Sequence, residues 1–195
     1  MSHPPHDSRP ATPLSSAAPP LAPPLTPALT PMYGRSETPE QALSRLGLAL
    51  PAAPNPVAAY VPVKRTGRML FVSGQIPMRD GKAVAKGTVP TQVPLQTARE
   101  CAVQCTLNAL AAVRAFLGNT PDALSQIVQV VRIGCFVACT PDFAEHPQVA
   151  NAASELLIAV FGDHGKHARA AVGAPGLPLG VPVEIEFLFE LREGA

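Results

Sequence analysis

Two side chains of opposite charge stand out near the C-terminal end of the sequence. Arg169 lies in the small, apolar segment ARAAVGAPGLP, and Glu184 lies in the last apolar run, VPVEIEF. An arginine guanidinium holds a planar carboxylate with two parallel hydrogen bonds, which a lysine ammonium does not match. A nearby glutamate can transfer a proton or orient a water molecule. The pair predicts a site for a small carboxylate, and a surface arginine with a solvated glutamate is the alternative that the sequence leaves open.

Other residues with reactive side chains are interpreted as structural. Ser73 lies in VSGQIP and not in a G-x-S-x-G elbow, so we expect a hydrogen-bonding hydroxyl at a strand end and no hydrolase nucleophile. Gly74 permits a close backbone approach beside it. His164 and His167 precede Arg169 and are interpreted as surface histidines, with tuning of a site as the alternative. The glycines at 162–176 do not form a dinucleotide-binding motif.

The composition argues against nucleic-acid and membrane functions. The chain has 15 basic and 14 acidic residues, 5% aromatic residues and no Trp, which leaves no basic field or stacking platform for nucleic acid. No apolar run approaches the roughly 18 residues that span a bilayer. Charged residues make up 15% of the chain and hydrophobic residues 47%, which indicates a buried subunit interface.

The four cysteines show neither a C-x-x-C pair nor the spacing of a zinc site. We interpret them as small buried side chains, which favours a reducing, cytoplasmic location. No metal or organic cofactor is expected.

The N-terminal quarter of the chain differs from the rest. Residues 1–31 contain ten of the 24 prolines, so we predict a disordered tail without a signal peptide, and Met32 is an alternative start. Residues 32–56 are predicted to form a short helix and a loop. The run TPEQ predicts the helix start, with Thr38 as N-cap and Gln41 completing a capping box, and Gly47 is expected to end the helix.

Beyond residue 57 the hydrophobic pattern alternates between strands and helices. Two strands are predicted within 60–76, followed by a helix over 92–117 with a small-residue face. A strand is predicted over 127–137, a helix over 149–161, and strands over 168–172 and 181–191. Phe116 is expected on the inner face of the first long helix, and Tyr60 as a half-buried strand residue.

The predicted order is β-β-(β)-α-β-α-β-β. It indicates an α+β fold, an α/β sandwich with two helices on one face of a mixed sheet. If the last two strands pair with each other, Arg169 and Glu184 come into one pocket.

These residues together resemble the YjgF/RidA family of reactive-intermediate deaminases, whose older name is endoribonuclease L-PSP. The resemblance covers residues 57–192, which we take as one RidA-like domain. Four segments carry it: Tyr60 with the hairpin into FVSGQIP, then QTARECAVQCTLNALAAV, then VVRIGCFVACTPDF, and finally ARAAVGAPGLP followed by VPVEIEF.

The resemblance implies a chorismate-mutase-like homotrimer with active-site clefts between subunits. It implies hydrolysis of imines and enamines, such as 2-aminoacrylate, to 2-keto acids and ammonia. In this interpretation Arg169 binds the carboxylate of a small 2-imino acid, and Glu184 positions or activates the attacking water. The substrate-binding residues implied by the resemblance are Tyr60, Ser73, Gly74 and Ala171.

The chain departs from the family pattern at several points. Ala171 stands where many relatives carry Cys, Ala138 and Cys139 replace a usual Thr-Asp pair, and the stretch AEHPQVAN is longer than expected. Two other functions remain open at this point. One is a trimer that binds carboxylates or other small molecules without turnover, and the other is endoribonuclease activity or inhibition of translation, against which the charge balance argues.

Overall fold

The structure, a computed structural model, describes residues 37–53 and 59–194. The predicted tail over 1–31 lies outside the described residues. Helix α1 spans Pro39–Arg45 and confirms the capping box: the Thr38 hydroxyl accepts from the Gln41 N–H at 3.3 Å, and the Gln41 side chain accepts from the Thr38 N–H at 2.9 Å. Gly47, with φ of 69°, ends the helix as predicted, because this left-handed conformation favours glycine.

Seven strands form two sheets in the part of the chain that the structure describes. They are β1 (Val63–Thr66), β2 (Met69–Gln75), β3 (Met78–Arg79), β4 (Lys82–Ala83), β5 (Ile127–Ala138), β6 (Ala168–Ala174) and β7 (Val183–Leu191). The main sheet has the order β1-β2-β7-β5-β6, in which β5 and β6 are parallel and the other neighbours are antiparallel. The small hairpin of β3 and β4 occupies the place of the bracketed strand in the predicted order.

Two long helices cover one face of this sheet. Helix α2 spans Leu95–Phe116 and α3 spans His146–Phe161, so the predicted α+β sandwich with a mixed sheet is confirmed. Small side chains let α2 lie close to the sheet, and Ala98, Cys101, Cys105 and Ala109 are fully buried. Phe116 is the exception: it is the last residue of α2 and is 46% exposed, so its predicted place on the inner face of the helix is wrong.

Strand β7 shows the predicted alternation. Its helix-facing residues are all buried: Val183, Ile185, Phe187, Phe189 and Leu191. The residues between them are partly exposed on the other face of the sheet, which no helix of the described residues covers and which we call the open face. No helix in the described ranges is long and apolar enough to cross a membrane.

The expected pairing of the last two strands is wrong. Strand β5 lies between β6 and β7 and bonds to both. Helix α3 connects β5 to β6, and such a helical crossover returns the chain as a parallel neighbour of the strand it left. The turn after β6 then takes the chain to the far side of β5.

A buried polar side chain fixes the segment that follows β2. The Asn108 amide group, in α2, donates to the carbonyls of Ile76 and Met78 at 2.9 and 3.0 Å. Its oxygen accepts from Gln104 at 2.9 Å, and Gln104 in turn accepts from Arg79 at 2.9 Å. Every polar atom of the amide is thereby paired, which holds the end of β2 against the helix.

Replacing Asn108 with Ala should destabilise the protein by about 2 to 3 kcal/mol, because two backbone carbonyls and one buried amide lose their partners. Chemical denaturation of Asn108→Ala and wild type would measure this difference. The matched control is Gln96→Ala, an exposed amide on the same helix, for which we expect a change within about 0.5 kcal/mol. Equal effects of the two substitutions would contradict a structural role for the network.

Candidate functional site

The two charged residues singled out by the sequence lie on opposite faces of the sheet. Arg169 is in register with Ile133, whose side chain is fully buried under the helices. Glu184 is in register with Phe136, one of the strand positions that point away from the helices. Paired residues of neighbouring strands share a face. A single chain therefore does not bring Arg169 and Glu184 into one pocket.

Helix α3 orients the Arg169 side chain at the sheet edge. One guanidinium nitrogen, Nη1, donates to Asn151 Oδ1 at 2.8 Å and to Ser154 Oγ at 3.1 Å. The arginine is otherwise exposed on the outermost strand, β6. Its Nε and Nη2 donors make no hydrogen bond to the described residues, so they remain available to a ligand.

His167 completes this cluster, and its prediction as a surface histidine is wrong. Its Nδ1 lies 2.6 Å from the Gly165 carbonyl and its Nε2 lies 3.0 Å from Ser154 Oγ. Burial lowers the pKa of His167, and the charge of Arg169 lowers it further against the opposing effect of the Gly165 bond. A carbonyl accepts only, so the neutral ring carries its proton on Nδ1 and its Nε2 accepts from the Ser154 hydroxyl. Ser154 oxygen then remains free to accept from Arg169.

Sequence reasoning missed Asn151 and Ser154. They are three residues apart on α3 and therefore share one face of the helix. Polar side chains at this spacing are also typical of a solvated helix surface, so the pattern alone does not identify them. His164, by contrast, is exposed as predicted.

Glu184 lies against the bare backbone of Gly74 on the open face. A β-carbon at position 74 would overlap the Glu184 carboxylate, so the glycine makes room for it. Burial raises the pKa of Glu184, and the nearby charge of Glu186 raises it further. Glu186 itself is paired with Arg132 at 2.8 Å. The described contacts give Glu184 no such cation.

Two of the other predicted site residues lie at the same corner as Glu184. The Ser73 hydroxyl donates to the Val61 carbonyl at 2.8 Å, which fits the predicted role of a hydrogen-bonding group at a strand end. Tyr60 is the neighbour of Val61 in the chain and is half-buried as predicted, at 50% exposed. It precedes β1, so its prediction as a strand residue is wrong. Ala171 lies on β6 in register with Cys135, on the face that carries Arg169.

Within the described ranges, no group of three or more His, Cys, Asp or Glu side chains is placed to hold a metal ion. The chemistry available to the two clusters is therefore that of a cation, a glutamic acid and neutral hydrogen-bonding groups. Such groups can bind a carboxylate and transfer protons.

Comparison with known proteins gives the same family from sequence and from structure. The family described as "YjgF/chorismate mutase-like, putative endoribonuclease" matches residues 40–191. Protein TCP17 of Trypanosoma cruzi is 39% identical over 151 residues, which cover 77% of this chain and 92% of that protein. The chain is a member of the YjgF/RidA family.

Two solved structures extend this comparison to the fold. A protein of unknown function from Agrobacterium tumefaciens has 41% identity and a TM-score of 0.73, covering 80% of this chain and 94% of that one. A Shewanella oneidensis protein described as a "putative endoribonuclease" has 30% identity and a TM-score of 0.75, covering 80% and 100%. The YjgF/RidA resemblance inferred from four sequence segments is thus confirmed.

The raised pKa of Glu184 predicts how stability of this YjgF/RidA protein depends on pH. The folded state binds the Glu184 proton more tightly than the unfolded state does. Glu184 therefore lowers the free energy of unfolding as pH rises from the pKa of this residue in the unfolded state to its pKa in the folded state. In Glu184→Gln that loss is absent. The variant should therefore gain stability relative to wild type as pH rises from about 4 towards neutrality.

Denaturation curves measured across this pH range would test the prediction. Glu193→Gln, which removes an exposed carboxylate near the C-terminus, is the control and should follow wild type. A Glu184→Gln variant whose stability falls relative to wild type with rising pH would show that the folded protein favours the charged carboxylate.

Proposed function

We propose that this YjgF/RidA protein hydrolyses small 2-imino acids and their enamine tautomers, such as 2-aminoacrylate, to 2-keto acids and ammonia. The observation that carries the proposal is the uncompensated charge of Arg169. Its partners Asn151, Ser154 and His167 are all neutral at neutral pH. Other arginines of the described residues are instead paired with glutamates, among them Arg45, Arg68, Arg99 and Arg132.

An anionic ligand is the natural partner for such a cation. The outward edge of the Arg169 guanidinium offers the two donors that a planar carboxylate accepts in a bidentate pair. Asn151 and Ser154 hold the opposite side of the group, so little side-chain entropy is lost on binding. A 2-imino acid carries its carboxylate next to the reacting carbon, and this contact therefore orients the imine as well as binding it.

Glu184 is suited to the proton transfers. A carboxyl group with a raised pKa exchanges its proton more readily near neutral pH than an ordinary glutamate does. In the first step the glutamate accepts a proton from water as the water oxygen bonds to the carbon of the protonated imine, which gives a neutral carbinolamine. In the second it returns this proton to the amino group and takes up the proton of the carbinolamine hydroxyl as the C–N bond breaks, so that ammonia leaves and the oxygen becomes the carbonyl of the 2-keto acid. The imine carbon is already electrophilic, so this scheme uses no metal or organic cofactor.

The separation of Arg169 and Glu184 supports a site shared between subunits. We infer a homotrimer in which the Arg169 end of β6 in one chain meets the open sheet face of the next. That face exposes apolar side chains, including Phe71 at 49% and Val172 at 46%. Exposed apolar surface of this kind is typical of a subunit interface. Each cleft would then contain Arg169 of one chain and Glu184, Tyr60 and Ser73 of its neighbour.

The first experiment measures pyruvate release from 2-aminoacrylate generated in situ by a serine dehydratase. We expect wild type to accelerate hydrolysis and Arg169→Ala to lower kcat/KM about 100-fold or more, because the carboxylate loses a charged partner. Arg192→Ala removes an exposed arginine near the C-terminus and should leave the rate unchanged.

Other outcomes identify the alternative functions. Carboxylate binding by a folded trimer without turnover would indicate a non-catalytic binding protein. RNA binding or cleavage that weakens steeply with salt would indicate the endoribonuclease activity that the family description names. Either result in place of imine hydrolysis would contradict the proposal.

Subunit complementation tests the shared site separately. Arg169→Ala and Glu184→Gln chains, each inactive alone, are co-expressed in equal amounts and purified as mixed trimers. If the two residues come from different chains, random assembly leaves about a quarter of the clefts with both wild-type residues, and a similar fraction of activity returns. Activity no higher than that of the single variants would contradict a cleft built from two chains.

A further inference from the structure

A thiol and an imidazole meet at the end of β5, at the position where the family's usual Thr-Asp pair is absent. Cys139 directly follows β5, and His146 is the first residue of α3. Cys139 Sγ lies 3.3 Å from His146 Nε2. The rings of Phe143 and His146 pack in a T-shaped contact, with centroids 5.0 Å apart and planes at 77°, which restricts the orientation of the imidazole.

Cys139 differs from the other three cysteines in exposure. Cys101, Cys105 and Cys135 are buried, whereas Cys139 is partly exposed, and all four are free thiols. Burial raises the pKa of Cys101 and of Cys135 to about 12, so these thiols stay protonated and enclosed. Reactions with a molecule from solvent are therefore directed to Cys139.

Gly173 leaves an approach to the pair open. It is an exposed residue of the edge strand β6. A β-carbon at this position would lie 2.9 Å from Cys139 Sγ and 2.9 Å from His146 Nε2. Because both distances are shorter than a normal contact, any side chain here would cover the sulfur or displace the imidazole. With glycine, position 173 places no side chain over the partly exposed sulfur.

The imidazole of His146 is placed to act as a base for the Cys139 thiol. Burial raises the pKa of Cys139, the Ala174 backbone N–H opposes that shift, and the charge of Asp142 adds to it. The thiol therefore begins as S–H and needs a base at the moment it reacts. His146 Nε2 is within reach of that proton.

We infer that Cys139 and His146 form a thiol–imidazole pair that reacts covalently with small, soft electrophiles. As Sγ attacks an electrophilic carbon, the thiol proton passes to His146 Nε2 and an S–C bond forms. With an alkyl halide the carbon–halogen bond breaks and halide leaves with its electron pair. With an activated alkene no group leaves, and the proton is returned to the neighbouring carbon. The pair shares no residue with Arg169 or Glu184, so it does not depend on the proposed deaminase activity.

Iodoacetamide labelling of the native full-length protein at pH 7.5 tests the pair. Intact mass and peptide mapping should show one adduct per chain, located at Cys139, and Cys139→Ser should take up none on the same timescale. His146→Gln should lower the labelling rate about tenfold or more, because the thiol loses its base. The matched control is His164→Gln, an exposed histidine outside the pair, and its rate should equal that of wild type.

Gly173→Ala provides a second variant that keeps both reactive residues in the sequence. Its β-carbon would lie 2.9 Å from both Cys139 Sγ and His146 Nε2 and should slow labelling of Cys139. If thermal denaturation shows that His146→Gln is unfolded, an undiminished labelling rate in Gly173→Ala would overturn the inference. Labelling that favours another cysteine would overturn the inference. Equal rates in wild type and a folded His146→Gln would also overturn it, because Cys139 would then be an exposed thiol without an assisting base.

Discussion

The pairing of β5 with both of its neighbours determines where every charged residue of the candidate site lies. This 12-residue strand bonds to β6 on one side and to β7 on the other. Because side chains alternate along a strand, its register sends Arg169 to the helix face and Glu184 to the open face. A shift of one residue on either side would reverse one of these directions, and on the β7 side it would turn Glu184 into the buried face under the helices. The same pairing brings Gly134 beneath Glu186 and Gly173 beside Cys139.

Glycines on the sheet make room for two glutamates, whose surroundings differ. Glu186 and Glu184 both lie over glycine backbones, Gly134 and Gly74 respectively. Arg132 compensates the charge of Glu186, and the two form an ordinary ion pair. Glu184 is partly desolvated and sits beside that negative charge, and both effects raise its pKa. Two residues apart on one strand, the carboxylates are suited to different tasks.

The helices and strands were predictable from local sequence patterns, whereas the order of the strands in the sheet was not. Alternation along VEIEFLFEL and the capping box at Thr38 are determined by short-range physics, and both predictions are confirmed. Strand order depends on the crossover through α3, about which hydrophobic periodicity carries no information. The partners of Arg169 escaped prediction for a related reason, since Asn151 and Ser154 become site residues only once α3 lies beside β6. The roles taken from the family resemblance for Arg169 and Glu184 stay predictions.

The neutral state of His167 is coupled to the charge of Arg169. If His167 were protonated, its Nε2–H would point at Ser154 Oγ, and the hydroxyl could no longer donate to the ring. Ser154 would then lie between two cations, with its oxygen lone pairs shared by both. Burial and the positive guanidinium oppose this state, which is why the pKa of His167 is lowered. The cluster thus keeps a single positive charge at the sheet edge, with fixed hydrogen-bond directions, and a carboxylate that binds there meets an arginine already oriented by neutral partners.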